Sequence, residues 1–208
     1  MNEDNARKAL GDLLNFTQED VAKIESFKNL MLEFNKSYNL ISKSSENQIW
    51  SRHILDSAQL VKFIEFKDLF SLSDFGSGAG FPGLILAIYN KNDKFHVKLH
   101  EKSPVKAKFL NNIKEKLKIK FEVINEDVSK SFIDSNYITC RAFKKLPEII
   151  RISREIAKKS HKLIILKGKS AQEEVNKALM KNNFEYKLEN SITDAESKII
   201  LVDIKKSE

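Results

Sequence analysis

The chain is short of cysteine, glycine and arginine, and it has no long apolar run. A single cysteine, Cys140, excludes an internal disulfide and a cysteine-based zinc cluster. Together with the absence of any disulfide framework, this predicts a protein of a reducing compartment. No apolar stretch approaches the roughly 20 residues that a helix needs to cross a bilayer. The first eight residues, Met1 to Lys8, are polar and mixed in charge, without the apolar centre of a signal peptide. The expectation is a cytoplasmic protein with no membrane partner. Internal repeats and low-complexity linkers are also missing. Hydrophobic residues make up 41% of the 208 positions and are spread along the whole length, enough for one substantial core.

What is abundant is lysine. The formal net charge is +7, and only five of the 36 basic residues are arginine: Arg7, Arg52, Arg141, Arg151 and Arg154. A basic surface draws polyanions. Lysine alongside many Asn, Ile and Phe is also what an AT-rich coding sequence produces, so charge alone leaves a nucleic-acid partner open. The few arginines carry more information, because a guanidinium offers planar, bidentate recognition that an ammonium cannot.

The N-terminal third reads as helical. Thr17 with Asp20 forms a capping-box pattern ahead of Val21, Ile24, Phe27, Leu30, Met31 and Phe34 at helical spacing. A second helix is predicted from Asn47 to Phe63, with Trp50, Ile54, Ala58 and Val61 on its apolar face. From Ser71 onward strands and helices alternate. Strands are predicted at Ser71–Phe75, Val97–His100, Phe121–Asn125, Tyr137–Cys140 and Lys162–Leu166. Helices follow the glycine cluster, run from Pro104 after Ser103 to Leu117, and span Pro147–Lys159 and Ala171–Lys181. Phe184–Leu188 and Ile199–Ile204 read as a closing antiparallel pair. The expected fold class is therefore α/β, a Rossmann-like, mostly parallel sheet covered on both faces, with residues 1–69 as a helical segment packed on an α/β unit of residues 70–208.

Four of the six glycines fall in Asp74-Phe75-Gly76-Ser77-Gly78-Ala79-Gly80-Phe81-Pro82-Gly83. Between a strand and a helix, such a loop is expected to present free backbone N–H groups and to let a ligand approach closely. The dinucleotide fingerprint starting at Gly76 requires glycine at position 81, where Phe81 stands. The P-loop requires lysine after Gly83, where Leu84 stands. The remaining pattern, an acidic residue followed by glycines at alternate positions, fits Asp74, Gly76, Gly78 and Gly80. That is the loop of methyltransferases, whose ligand S-adenosylmethionine carries no phosphate and needs no lysine. A tight turn without a ligand is the alternative. Glu101, at the end of the second strand, stands where a carboxylate binds a ribose diol. Asp127, after the third strand, can accept from an adenine amino group, or be an ordinary loop carboxylate.

Arg52, His53 and Asp56 are spaced to share roughly one helix face, as an RNA or target-base contact or as a solvated face with a local Arg52–Asp56 pair. Arg141 and Lys167 each follow a strand and can reach a phosphate or the cofactor carboxylate. His53 has no second ligand at metal-site spacing.

A set of segments in fixed order points further: Asn35-Lys36-Ser37-Tyr38-Asn39-Leu40, Arg52-His53-Ile54-Leu55-Asp56-Ser57, the glycine loop, Cys140-Arg141-Ala142-Phe143 and Leu166-Lys167-Gly168. Together they resemble the small-subunit ribosomal RNA methyltransferase G family, also called glucose-inhibited division protein B. The resemblance implies a class I methyltransferase that uses S-adenosylmethionine and no metal. It implies methylation of ring nitrogen 7 of one guanine in 16S ribosomal RNA. The sequence leaves open whether the partner is the free RNA or a small-subunit assembly intermediate, and a monomer is favoured. It also implies that Gly76, Phe81, the turn at Val128-Ser129 and Arg141 line the cofactor site, and that Glu101 is the acidic residue after the second strand. The chain departs from the family with Ala79 in place of a frequent proline and with Asp127 and Ser129 where Arg and Glu are usual. A methyltransferase acting on a protein or small molecule and a non-catalytic nucleotide-binding module are the competing classes. Nitrogen 7 of neutral guanine has a free lone pair, so no general base is expected.

Overall fold

The computed structural model describes residues 1–178 and 184–206. Helix α1 (Glu3–Leu14) begins at Asn2, whose side chain accepts from the Asn5 N–H, and ends at Asn15 in the left-handed region. The sequence pattern missed α1, because two of its four buried positions are the small residues Ala6 and Ala9 and the apolar signal is faint. Helix α2 (Gln18–Asn35) starts on the expected capping box: Thr17 and Asp20 exchange side-chain-to-backbone hydrogen bonds of 3.0 and 3.2 Å.

The helix expected over 47–63 forms from residue 49 to 63 without a break, but not as a regular α-helix. A short α3 (Lys43–Glu46) precedes a π-helical turn at Trp50–Leu55, then α4 (Asp56–Ala58) and a 3-10 turn at Gln59–Phe63. Several carbonyls of this stretch are taken by side chains, among them those of Arg52, His53 and Asp56, the last by the Gln59 amide at 3.0 Å. The Ser57 hydroxyl donates to the His53 carbonyl at 2.6 Å and the Arg141 guanidinium donates to the Arg52 carbonyl at 2.6 Å. Such competition for carbonyls is how a helix is locally bent and widened. Trp50, Ile54, Leu55 and Ala58 are nevertheless buried as expected.

The sheet contains β1 (Ser71–Phe75), β2 (His96–His100), β3 (Glu122–Ile124), β4 (Tyr137–Arg141), β5 (His161–Lys167), β6 (Tyr186–Asn190) and β7 (Lys198–Ile204). Their order is β3-β2-β1-β4-β5-β7-β6. The first five are parallel, and β7 runs antiparallel to both β5 and β6. Helices α5 (Gly83–Tyr89), α6 (Pro104–Leu117), α7 (Leu146–Ile156) and α8 (Ala171–Ala178) connect them. Helix α7 stops short of Lys159 because Ala157 turns extended and bridges to Ile133. The expected end of α8 at Lys181 lies outside the described residues.

Alternate residues of β5 feed opposite cores. Ile164 and Leu166 join α1, α2, α5 and α6, whereas Leu163 and Ile165 join α7 and α8. The N-terminal helices and the first face of the sheet share one apolar cluster. Among the described residues no helix is long and apolar enough to cross a membrane.

Candidate cofactor loop and substrate cleft

The strand order reverses where β1 pairs with both β2 and β4, the position where open α/β sheets bind ligands beyond the carboxyl ends of their strands. The glycine loop leaves β1 at that point. Its amides are mostly spent inside the protein, contrary to the expectation of free N–H groups. Gly76 and Ser77 donate to the His100 carbonyl, Gly80 and Phe81 to the Ser77 carbonyl, and Gly78 to Glu101. The Ala79 N–H alone has no partner among the described residues. What the loop offers is room. Gly78 sits at φ 57° with nothing closer than 3.8 Å to where a Cβ would stand, so its outer side is open. Gly83 is the opposite case, since a Cβ there would lie 2.2 Å from Leu99 Cδ2 and 2.8 Å from Asp74 Oδ2.

Two carboxylates brace this loop. Asp74 is fully buried, accepts from the Thr139 hydroxyl at 2.9 Å and from the Gly83 N–H at 3.2 Å, and so ties β1 to β4 and to the start of α5. Burial pushes its carboxyl up to about 6. Glu101 is 6% exposed and spends one oxygen on the Gly78 N–H at 2.8 Å and the other on the Ser103 N–H at 2.7 Å. Each oxygen retains a lone pair for a ligand hydroxyl. Beside it, Asn125 donates to the Glu101 carbonyl at 2.8 Å. Asp127 caps the turn at Val128–Lys130, accepting from the Ser129 N–H at 3.0 Å and hydroxyl at 2.8 Å, and that hydroxyl holds its carboxyl low. Val128 is buried and Ser129 exposed.

On the other side of the loop, Phe81 meets the N-terminal segment. The His53 ring stacks on Phe81 with centroids 5.1 Å apart, and the Arg141 guanidinium lies 5.5 Å from the Phe81 centroid. Arg141 donates to His53 Nδ1 and to the Arg52 carbonyl and pairs with Asp56 at 3.6 Å. Because a guanidinium only donates, His53 Nδ1 is the acceptor and the ring is neutral. Burial and then the charges of Arg141 and Arg52 push its pKa down to about 3. Burial raises the Asp56 carboxyl, against the pull of Arg141, Thr193 and Ser191.

The common helix face expected for Arg52, His53 and Asp56 is therefore corrected. The π-helical turn leaves the Arg52 side chain exposed, while His53 and Asp56 turn inward to Arg141, and the local Arg52–Asp56 pair does not form. Lys167 is brought to the same end of the sheet, but its ammonium is engaged by the Lys144 carbonyl at 2.7 Å and Glu174 at 2.9 Å. A cleft of about 800 Å³ opens here, with Arg52, His53, Asp56, Arg141, Lys167 and Thr193 in its walls. The sequence reading missed Thr139, Gln59, Ser191 and Thr193, and it named Phe143 in a family segment without giving it a role. Phe143 packs where a Gly76 Cβ would stand, at 2.6 Å, and no local pattern announces such distant partners.

A five-strand parallel sheet extended by an antiparallel pair, with a glycine loop after β1 and a latched carboxylate after β2, is the α/β fold of class I methyltransferases. A SAM dependent methyltransferase from Aquifex aeolicus has this fold, with a TM-score of 0.61 at 15% identity over 85% of this chain and 98% of its own. The model of the rRNA small subunit methyltransferase G (GidB) family matches residues 20–201, and the chain belongs to that family. It is 38% identical over 185 residues to the ribosomal RNA small subunit methyltransferase G of Rickettsia prowazekii, covering 89% of this chain and 94% of that one. Its identity to the protein of the same name from Orientia tsutsugamushi is 35% over 190 residues, covering 91% and 93%. It is thus a methyltransferase enzyme.

Proposed function

We propose that the protein transfers the methyl group of S-adenosylmethionine to nitrogen 7 of a guanine in 16S ribosomal RNA, as a monomer in the cytoplasm. The observation that carries this reading is the meeting of two halves at Phe81. The glycine loop, open at Gly78, and the segment bearing Arg52, His53 and Asp56 share that ring and Arg141. The residues present fit the cofactor: Gly78 leaves space for it, the Ala79 N–H is free, Glu101 keeps acceptor capacity for a diol, and no phosphate-binding lysine stands in the loop. Gly76, Gly80, Val128, Ser129 and Asp127 complete the proposed cofactor wall, with residues 1–69 as the RNA-side cover of the unit at 70–208.

Bound there, the cofactor supplies an electrophilic methyl group. The chain's own task is alignment, which contributes about 7–11 kcal/mol when reacting atoms are well placed. No residue must remove a proton, because nitrogen 7 already presents its lone pair. A neutral His53 and an Asp56 committed to Arg141 suit that requirement, and the half-buried His53 ring, backed by the buried Phe81, is the aromatic group in the cleft wall that can meet a purine. The pairing of Arg141 with Asp56 offsets a cation that would oppose positive charge building on the base. Mapping N7-methylguanine along 16S RNA from cells with and without the protein tests the reading. One site should disappear. Methyl transfer found only in protein or metabolite fractions would replace it with one of the competing classes.

A further inference from the structure

The loop between β6 and β7, residues 191–197, belongs to no motif, yet it reaches back across more than 130 positions to the π-helical segment. It is braced internally. The Ser191 N–H donates to the Ser197 carbonyl at 3.1 Å, the Thr193 N–H to Ser191 Oγ at 3.1 Å, and the Glu196 N–H to Asp194 at 2.8 Å. From this frame the Ser191 and Thr193 hydroxyls each lie 3.1 Å from Asp56 Oδ1. Gln59, 1% exposed, adds its amide at 2.8 Å to the same oxygen and accepts from the Ile192 N–H at 2.9 Å. Three donors thus converge on Oδ1, which leaves Oδ2 facing the Arg141 guanidinium at 3.6 Å. Arg141 in turn donates to His53 Nδ1, and His53 stacks on Phe81. Thr193 and its neighbours also wall the 800 Å³ cleft.

We propose that Ser191 and Thr193 are positioning residues for methyl transfer: they orient Asp56, and through the Asp56–Arg141 pair they hold His53 against Phe81 beside the target base. The proposal rests on the reading that this cleft takes the RNA. A hydroxyl is needed because a carboxylate oxygen must be pinned from the side away from the guanidinium. A valine of the same shape packs there but donates nothing. The relay also has a single direction: the Ser191 and Thr193 hydroxyls, 2.8 Å from each other, both reach Oδ1, and the only charged group facing Oδ2 among the described residues is Arg141.

The experiment compares Thr193→Val with Thr193→Ser and adds Ser191→Ala. In cofactor-free protein, the carboxyl carbon of Asp56 is titrated by carbon-13 NMR. The Val variant should titrate at higher pH than the parent, and the Ser variant like the parent, because the lost hydroxyl stabilises the carboxylate. In single turnover with saturating RNA, the Val variant should slow by about tenfold and the Ser variant should recover most of that loss. Cofactor affinity should stay within about twofold of the parent, since Thr193 faces Asp56 and not the glycine loop. An Asp56 titration unmoved by both Thr193→Val and Ser191→Ala would overturn the relay, as would equal slowing by Val and Ser. If the parent protein methylates no guanine, the assigned reaction fails instead. The titration, read without substrate, still decides the relay.

Discussion

Replacing Glu101 by glutamine separates two roles that one residue can play. A carboxylate at the end of the second strand is expected to bind a ribose. In the folded chain both its oxygens already hold backbone N–H groups, of Gly78 at 2.8 Å and Ser103 at 2.7 Å, in a site where the residue is 6% exposed. Glu101→Gln keeps the shape but turns one acceptor into an NH2 donor. Whichever way the amide is oriented, it confronts one of the two N–H groups with another donor. One charge-assisted hydrogen bond is lost and a buried donor is left unsatisfied, which costs about 2 kcal/mol. For a chain of this size, each kcal/mol lowers the melting temperature by roughly 2–4 °C, so a fall of about 4–8 °C is expected without any ligand. Cofactor affinity should fall as well, because the Gly78 end of the loop is no longer latched. Calorimetric melting of the cofactor-free variant, followed by titration with S-adenosylmethionine, reads both effects. An unchanged melting temperature with lost affinity would refute the latch and leave Glu101 as a ligand-binding group only.

Four other outcomes are expected. Gly78→Val should leave a folded protein that no longer binds S-adenosylmethionine by calorimetry, whereas Gly83→Ala should lose about 1–3 kcal/mol of stability through overpacking against Leu99 and Asp74, measured by urea unfolding. The Asp74 carboxyl is raised from 3.8 to about 6 in the folded chain, so its protonated form is the favoured one; its contribution is fully present below pH 4 and fades as the pH rises through 6. The stability of the parent relative to Asp74→Asn should therefore improve by up to about 3 kcal/mol as the pH falls from 7 to 4, and a flat difference would contradict the shift. Single-turnover methylation from about pH 6 to 8.5 should show no log-linear limb that His53→Gln or Asp56→Asn abolishes, because His53, pushed to about 3, is neutral throughout; such a limb would favour a target atom that carries a proton.

Much of this protein is legible in short windows of its sequence. The capping box at Thr17 and Asp20, the strand and helix alternation after Ser71, and the alternate glycines at 76, 78 and 80 depend on neighbours within a few residues. Local propensity and backbone sterics act over that range, so these features could be read before the fold was known. Even the acidic residue ahead of the loop was visible as a pattern, although its work was not. Asp74 buries itself against Thr139, a partner that only the β1–β4 pairing supplies. The helix predicted over 47–63 is present from residue 49, and its departure from regular α geometry has the same cause: Arg141 arrives from β4 to take the Arg52 carbonyl. The latch of Glu101 on Gly78, the packing of Phe143 over Gly76, and the hold of Ser191 and Thr193 on Asp56 span from 23 to 137 positions. Periodicity carries no record of such pairs. They exist because chain folding brings distant polar groups into an interior where each must find a partner, and only the tertiary structure decides which partner it is.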